Sequence, residues 1–124
     1  MRLSPVNAFN DMKDSDPMAL FSSVSGALGY LHVDETSSEP FDWSAFRRTW
    51  TGVYIANGGY DRQRATAAVE SGHAALVSFG APFIANPDLV ERLRRQAPLN
   101  VPDRATFYGG DERGYTDYPA LAAD

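Results

Sequence analysis

Glycine residues stand directly behind two apolar segments of the chain, where they could bring backbone amides close to a ligand. Asn57-Gly58-Gly59 follows residues 53–56, and Gly80 follows residues 74–79; a helical pattern comes after each turn. Glycine lets the backbone approach a ligand closely, and helix N-termini favour anions. The two turns are therefore compatible with a phosphate site, although taken alone each fits an ordinary tight turn better.

The residue types in this sequence give little support for covalent catalysis, metal binding or acid/base catalysis. The chain has no cysteine, which excludes disulfides and thiolate catalysis, and it contains neither a GxGxxG fingerprint nor a P-loop lysine. His32 and His73 lack a second ligand at suitable spacing, so no metal site is predicted. No serine sits in a nucleophile elbow. Two acidic pairs are interpreted as loop and helix-cap residues: Asp14/Asp16 and Asp34/Glu35.

Strands and helices alternate along the chain. Short apolar runs at residues 30–33, 53–56 and 74–79 predict strands buried on both faces of a parallel sheet, and residues 1–4 could end a fourth strand. This order predicts an α/β fold. A doubly wound sheet and part of a (β/α)8 barrel both fit the pattern, and a complete barrel needs about 250 residues.

Helical signals occupy the segments between the strands. Residues 17–28 carry apolar side chains at spacings of three or four, Asp42 can cap residues 43–50, and Asp61 can cap residues 62–71. Gly72 suits a left-handed residue after that helix. Asn86-Pro87-Asp88 predicts the start of a helix that runs to about residue 96. An irregular tail follows, with four aromatic residues between positions 107 and 118.

Composition narrows the class of protein further. The chain has 124 residues and a net charge of −5, which argues against a nucleic-acid binder. No apolar run is long enough for a membrane span, and no signal peptide follows Met1. A cytoplasmic protein with a small-molecule ligand is the expectation, with neither nucleic acid nor membrane as a partner.

Longer motifs resemble a known family over nearly the whole chain. The motifs are Arg2-Leu3-Ser4-Pro5, Phe9-Asn10-Asp11-Met12, Tyr30-Leu31-His32-Val33, Ile55-Ala56-Asn57-Gly58-Gly59-Tyr60-Asp61, Phe79-Gly80, Pro82-Phe83-Ile84-Ala85-Asn86-Pro87-Asp88-Leu89, Asp103-Arg104-Ala105-Thr106-Phe107-Tyr108-Gly109-Gly110 and Gly114-Tyr115-Thr116-Asp117-Tyr118-Pro119. In this order they are similar to the old yellow enzyme family, and most closely to its bacterial alkene and xenobiotic reductases.

The resemblance implies an FMN-binding (β/α)8 barrel. Residues 1–124 would form its C-terminal half, about strands five to eight, with residues 98–124 as an irregular tail that packs on the barrel. In the family NAD(P)H reduces FMN, and the flavin passes hydride to an activated C=C bond of an enone, a maleimide or a related electrophile.

The resemblance also implies roles for individual residues. Arg2 would contact the flavin near its N1/O2 edge, where a cation stabilises the reduced form. The remaining cofactor contacts would come from the phosphate-binding turns and from one aromatic residue of the tail: Asn57, Gly58, Gly59, Gly80, Ala81 and Phe107. Tyr108 would line the substrate pocket.

Two features depart from the family pattern. Ala81 stands where the family has an arginine that clamps the phosphate, so phosphate affinity is expected to be lower. The link between Asp16 and Tyr30 is several residues shorter than in the family.

The family's first four strands, with the paired substrate-binding residues and the proton-donating tyrosine, have no counterpart here. No catalytic residue is therefore assigned in this chain.

Two hypotheses follow from the sequence. The first is a fragment of an FMN-dependent reductase, inactive alone: either a truncated gene product or one part of a split enzyme whose partner chain supplies strands one to four. Self-association is the other contact expected of it. The alternative is a non-catalytic α/β module that binds a phosphate-bearing ligand or a partner chain.

Overall fold

The computed structural model describes residues 1–7, 15–24, 28–37, 40–109 and 111–122. The motif at residues 9–12, Asp14 and Gly110 lie outside the described residues. The chain divides into two compact units, Met1–Ser78 and Phe79–Asp124, and each is described by itself.

A parallel sheet organises the first unit. Its strands are β1 (Arg2–Leu3), β2 (Tyr30–Asp34), β3 (Val53–Asn57) and β4 (Leu76–Val77), and they pair in the order β1-β2-β3-β4. This confirms the predicted parallel α/β sheet, although β4 is shorter than the predicted residues 74–79. The order has no reversal among the described strands, as in consecutive strands of a barrel.

The two faces of the sheet differ in burial. Leu31 and Tyr54 are fully buried on one face, whereas Tyr30, Val53 and Leu76 are exposed. The prediction that the strands are buried on both faces was therefore wrong for the described chain. The physical reason is that the described helices of this unit pack on the face that carries Leu31 and Tyr54.

Three helices cover that face: α1 (Pro17–Val24), α2 (Trp43–Arg48) and α3 (Arg62–Glu70). Phe21 of α1 lies 4.4 Å from Phe46 of α2, measured between ring centroids, and both are fully buried. Such aromatic pairs add to the stabilisation from burial. α1 is described over Pro17–Val24, and its predicted continuation towards residue 28 falls on residues 25–27, which lie outside the described residues.

The predicted caps of α2 and α3 are confirmed. The side chain of Asp42 accepts a hydrogen bond from the Ala45 amide at 2.8 Å, and Asp61 accepts one from Arg64 at 2.7 Å. Each bond satisfies an amide that has no partner within the first turn of its helix. Gly72 has a φ of 76°, as expected for a left-handed residue behind a helix.

The second unit begins with two short helices, α4 (Ala81–Ala85) and α5 (Leu89–Arg95). The prediction that Asn86 caps the start of a helix was wrong: Asn86 ends α4, and α5 begins only after Asp88. The Asn86 side chain is fully buried, donates to the Pro82 carbonyl at 2.7 Å and accepts from the Asn100 amide at 2.7 Å. A buried amide needs such partners, so Asn86 joins α4 to the start of the tail.

The irregular tail is tied back to α5. Arg92 is buried and bonds Asp88 at 2.6 Å and the Pro119 carbonyl at 2.8 Å; Asn100 donates to the same carbonyl at 2.8 Å. The Leu121 amide donates to Asp88 at 2.7 Å. These contacts close the segment between positions 100 and 119 into a loop with a fixed base. Its one regular element is a 3-10 turn at Arg104–Thr106. Among the described residues, no helix has the length and apolarity that crossing a membrane requires.

Candidate functional site

Arg2 and Asn57 lie together on the exposed face of the sheet. Nη2 of Arg2 donates to Oδ1 of Asn57 at 3.1 Å and lies 3.5 Å from Oδ2 of Asp34. The Arg2 side chain is 52% exposed, and its hydrogen bond and ion pair with described residues use Nη2 alone. The remaining guanidinium N–H groups are thus oriented by the strands and available to a ligand.

The Asn57 amide is held on its other side by Ser78. Nδ2 of Asn57 donates to the carbonyl of Ser78 at 3.0 Å and to its Oγ at 2.9 Å, which directs Oδ1 towards Arg2. Nε2 of His32 lies 2.8 Å from the same Oγ. Sequence reasoning did not assign Ser78 or His32 to this site. The alternation of side chains along parallel strands was the signal that could have placed them on the same face as Arg2.

The surroundings in this network shift the pKa values of two side chains, Asp34 and His32. Burial by itself would raise the pKa of the Asp34 carboxyl, but hydrogen bonds from Thr36 and Asn7 and the charge of Arg2 together hold that pKa below its ordinary value. Burial lowers the pKa of His32, and the charge of Arg2 lowers it further. At neutral pH the network therefore contains the cation of Arg2, the anion of Asp34 and a neutral His32.

The turn behind β3 requires glycine. Gly58 and Gly59 have φ values of 110° and 61°. A Cβ at Gly58 would lie 2.8 Å from the Thr36 nitrogen, too close for any other residue. No hydrogen bond between described residues uses the amide of Gly58 or Gly59. Amides without such a partner in a positive-φ turn are the donors that an anion site needs.

A buried carboxylate lies next to this turn, and sequence reasoning missed it. The Glu35 side chain, 5% exposed, accepts hydrogen bonds from Tyr54 at 2.8 Å, from Tyr60 at 2.5 Å and interacts with His73 at 2.7 Å. Glu35 lies in the loop behind β2, as interpreted, but residue type and spacing did not indicate its burial, because these partners lie 19, 25 and 38 residues away in the chain. Burial raises the pKa of both tyrosine hydroxyls, and the charge of Glu35 together with its hydrogen bonds to them raises it further.

Gly80 and Ala81 belong to the second unit, where they begin α4. Gly80 has a φ of −99°, and a Cβ there would meet no atom within 4 Å. Unlike Gly58, this position does not require glycine for steric reasons. Ala81 is exposed and offers only its backbone to a ligand.

Phe107 and Tyr108 form an edge-to-face pair in the tail loop, with 6.5 Å between their ring centroids. The Tyr115 hydroxyl donates to the Phe107 carbonyl at 2.6 Å. The Tyr108 side chain is 84% exposed. The loop thus fixes the backbone at Phe107 and presents the ring of Tyr108 to its surroundings.

Comparisons with known proteins agree on one family. Residues 2–100 match the model of the NADH:flavin oxidoreductase / NADH oxidase family. The chain is 42% identical over 140 residues to putative 12-oxophytodienoate reductase 10 of Oryza sativa subsp. japonica, covering 98% of this chain and 44% of that protein. It is also 42% identical over 136 residues to 12-oxophytodienoate reductase 1 of the same plant, covering 98% of this chain and 36% of that protein.

Solved structures show the same relationship. The old yellow enzyme from Trypanosoma cruzi superposes with a TM-score of 0.89 at 38% identity, covering 98% of this chain and 34% of that one. Morphinone reductase in complex with tetrahydroNAD superposes with a TM-score of 0.82 at 44% identity, covering 98% of this chain and 35% of that one. The chain therefore spans less than half the length of each of these relatives.

Proposed function

Because this chain belongs to the NADH:flavin oxidoreductase / NADH oxidase family, we propose that it supplies the part of a reductase that holds FMN. Family members bind FMN and take electrons from NAD(P)H. The relatives it matches are much longer, so the activity of a whole enzyme is part of this proposal.

In this proposal β1 to β4 are strands five to eight of a (β/α)8 barrel, within a single domain of residues 1–124 whose irregular tail is residues 98–124. The sequential parallel order of the strands supports it. Strands one to four come from outside these residues, from a partner chain if the enzyme is split; otherwise two copies of this chain close on each other. The chain by itself does not turn over.

The observation that carries the proposal is the placement of Arg2 beside Asn57, directly before the glycine turn. Bound FMN supplies hydride transfer from NAD(P)H to an electron-poor C=C bond, such as that of an enone or a maleimide. Arg2 places a positive charge at the N1/O2 edge of the flavin, where the reduced form carries negative charge. Asn57 orients Arg2 and begins the phosphate-binding turn.

The phosphate would lie against the amides of Gly58 and Gly59. Their geometry fits an anion, because neither amide has a partner among the described residues, both positions have a positive φ, and Gly58 leaves no room for a Cβ. Gly80 and Ala81 add backbone amides at the start of α4. Because Ala81 has no guanidinium, one charge-assisted hydrogen bond of about 1.5–3 kcal/mol is lost relative to the family pattern.

Phe107 packs near the flavin, and Tyr108 lines the pocket of the alkene. The edge-to-face pairing of these rings and the clamped base of their loop support a rigid aromatic wall. Neither Tyr108 nor Tyr115 is assigned as the proton donor.

A chimera tests the proposal. This chain replaces the matching C-terminal part of the Trypanosoma cruzi old yellow enzyme, and the purified protein is scanned for flavin absorbance and assayed with NADPH and cyclohexenone. We expect a yellow protein with measurable enone reduction. A folded chimera that carries no flavin even in excess FMN would contradict the proposal.

A further inference from the structure

We propose that Glu35 is a positioning residue for the phosphate-binding turn: through the Tyr60 hydroxyl it holds the backbone of Gly58 and Gly59 ready for an anion. This inference rests on the proposed function, because the turn is a phosphate site only under that proposal.

The loop behind β2 and the turn behind β3 are joined at three points. The Glu35 amide donates to the Asn57 carbonyl at 2.8 Å, at the start of the turn. The Tyr60 hydroxyl donates to Oε2 of Glu35 at 2.5 Å, at its end. Between them, Gly58 packs so closely on the Thr36 backbone that no Cβ fits. The two ends of the turn are thus bonded to the same residue, Glu35.

The Glu35 carboxylate is a firm anchor for this purpose. Its Oε1 is engaged by Tyr54 of β3 at 2.8 Å and by His73 at 2.7 Å, and the side chain is nearly fully buried. Hydrogen bonds to a charged acceptor are stronger than those between neutral groups. The position of Oε2 is therefore fixed by the sheet, and the hydrogen bond to Oε2 fixes the Tyr60 hydroxyl in turn.

The turn needs such an anchor because glycine has the largest conformational freedom of any residue. Tyr60 follows Gly59 directly, so fixing its ring limits the backbone of both glycines. Arg64 holds the other side, since its guanidinium lies 4.8 Å from the centre of the Tyr60 ring and donates to the Gly59 carbonyl at 2.6 Å. Amides fixed before binding cost less entropy when the anion arrives.

Two matched variants of the chimera of this chain with the Trypanosoma cruzi old yellow enzyme separate this role from general stability. Tyr60→Phe removes the hydroxyl that ties the turn to Glu35 and keeps the ring under Arg64. Tyr54→Phe removes the other tyrosine hydroxyl that donates to Glu35. Tyr54 lies within β3, so this hydrogen bond does not tie the end of the turn to Glu35. Hydrogen exchange of the peptide that contains Gly58 and Gly59 is measured by mass spectrometry, and binding is measured by equilibrium dialysis with FMN and with riboflavin, which lacks the phosphate.

In the parent chimera we expect FMN to protect this peptide and riboflavin to leave it unprotected. Tyr60→Phe is expected to speed exchange of the unliganded peptide and to weaken FMN binding on the order of tenfold, with riboflavin binding unchanged. In Tyr54→Phe the His73 ring still engages Oε1 of Glu35, so exchange at the turn and the preference for FMN over riboflavin are expected to stay at the parent values. Glu35→Gln, as a second variant, should behave like Tyr60→Phe.

The possible failures are distinguishable. If FMN protects the peptide in the parent chimera and Tyr60→Phe binds FMN equally well, the role of Glu35 is overturned and the phosphate site stands. Equal losses of FMN affinity in Tyr60→Phe and Tyr54→Phe would also overturn it, because they indicate general destabilisation. If FMN binds the parent chimera but does not protect the peptide, the phosphate site fails, and with it the role of Glu35.

Discussion

Arg2 in the first strand donates a hydrogen bond to Asn57 at the end of the third strand, 3.1 Å away in space and 55 residues later in the chain. Asn57 can accept it in this orientation because its amide nitrogen is bonded to Ser78, beyond the fourth strand. One line of side chains thus connects three of the segments that build the site, and the predictions below test parts of it.

The isolated chain is expected to bind FMN weakly or not at all. Ala81 supplies no guanidinium for the phosphate, and contacts from strands one to four are absent in this proposal. Absorbance at flavin wavelengths after purification, with and without added FMN, measures this. A yellow protein with near-stoichiometric FMN would contradict the expectation.

Ala81→Arg in the chimera is expected to tighten FMN binding by about tenfold or more, because one charge-assisted hydrogen bond contributes roughly 1.5–3 kcal/mol. Riboflavin is the control ligand, since it has no phosphate and its affinity should stay the same. An unchanged dissociation constant for FMN would show that the phosphate does not lie at the start of α4.

Arg2→Ala in the chimera is expected to lower the reduction potential of the flavin, because it removes a positive charge that stabilises the reduced form. A loss of about 1.4 kcal/mol corresponds to about 30 mV for a two-electron couple. The control is Arg48→Ala, which removes an exposed cation from the end of α2. Equal potentials in the parent and in Arg2→Ala would disprove the contact with the flavin.

His32→Gln is expected to make stability less sensitive to mild acid. Burial and the charge of Arg2 lower the pKa of His32 in the folded chain below its ordinary value of 6.5. The unfolded chain therefore binds the proton first as the pH falls. The folded state loses stability from about pH 6.5 downwards until the pH passes the folded pKa.

Denaturant unfolding of parent and variant, followed by tryptophan fluorescence at pH 8 and pH 5 and at one protein concentration, measures the effect. The free energy of unfolding should differ less between pH 8 and pH 5 in His32→Gln than in the parent. The same difference in both proteins would indicate that His32 titrates alike in the folded and unfolded chains.

The chain alone is expected to self-associate or to be only partly folded. Tyr30, Val53 and Leu76 are exposed on the face of the sheet that the helices do not cover, and the proposed barrel would bury them. Leaving such side chains in water forfeits roughly 1.5–3 kcal/mol each. The open strands β1 and β4 also present unpaired backbone groups. Sedimentation at micromolar concentration measures the association.

A lysine introduced on the uncovered face of the sheet tests whether this surface causes the self-association. Leu76→Lys should reduce self-association, whereas Val90→Lys, at an exposed position of α5, should leave it unchanged. A compact, cooperatively melting monomer of the parent chain would contradict the half-barrel proposal and favour the independent α/β module.

Local features of this protein could be predicted from its sequence alone. The caps at Asp42 and Asp61 and the left-handed Gly72 involve residues within a few positions of each other, so residue type and spacing are sufficient to identify them. The strands could be recognised as apolar runs behind glycines. The family motifs identified the FMN-binding class, because they are long and occur in the same order.

Only the tertiary structure decided which residues meet across the sheet. The sequence predicted Glu35 as a loop or cap residue, Asn86 as a helix cap and strands buried on both faces. The folded chain buries the side chains of Glu35 and Asn86 as hydrogen-bonding centres, and its helices cover the face of the sheet that carries Leu31. Glu35 and Asn86 each have partners that lie 14 or more residues away. Which side of a strand is covered depends on where the helices pack, and spacing along the chain does not contain that information.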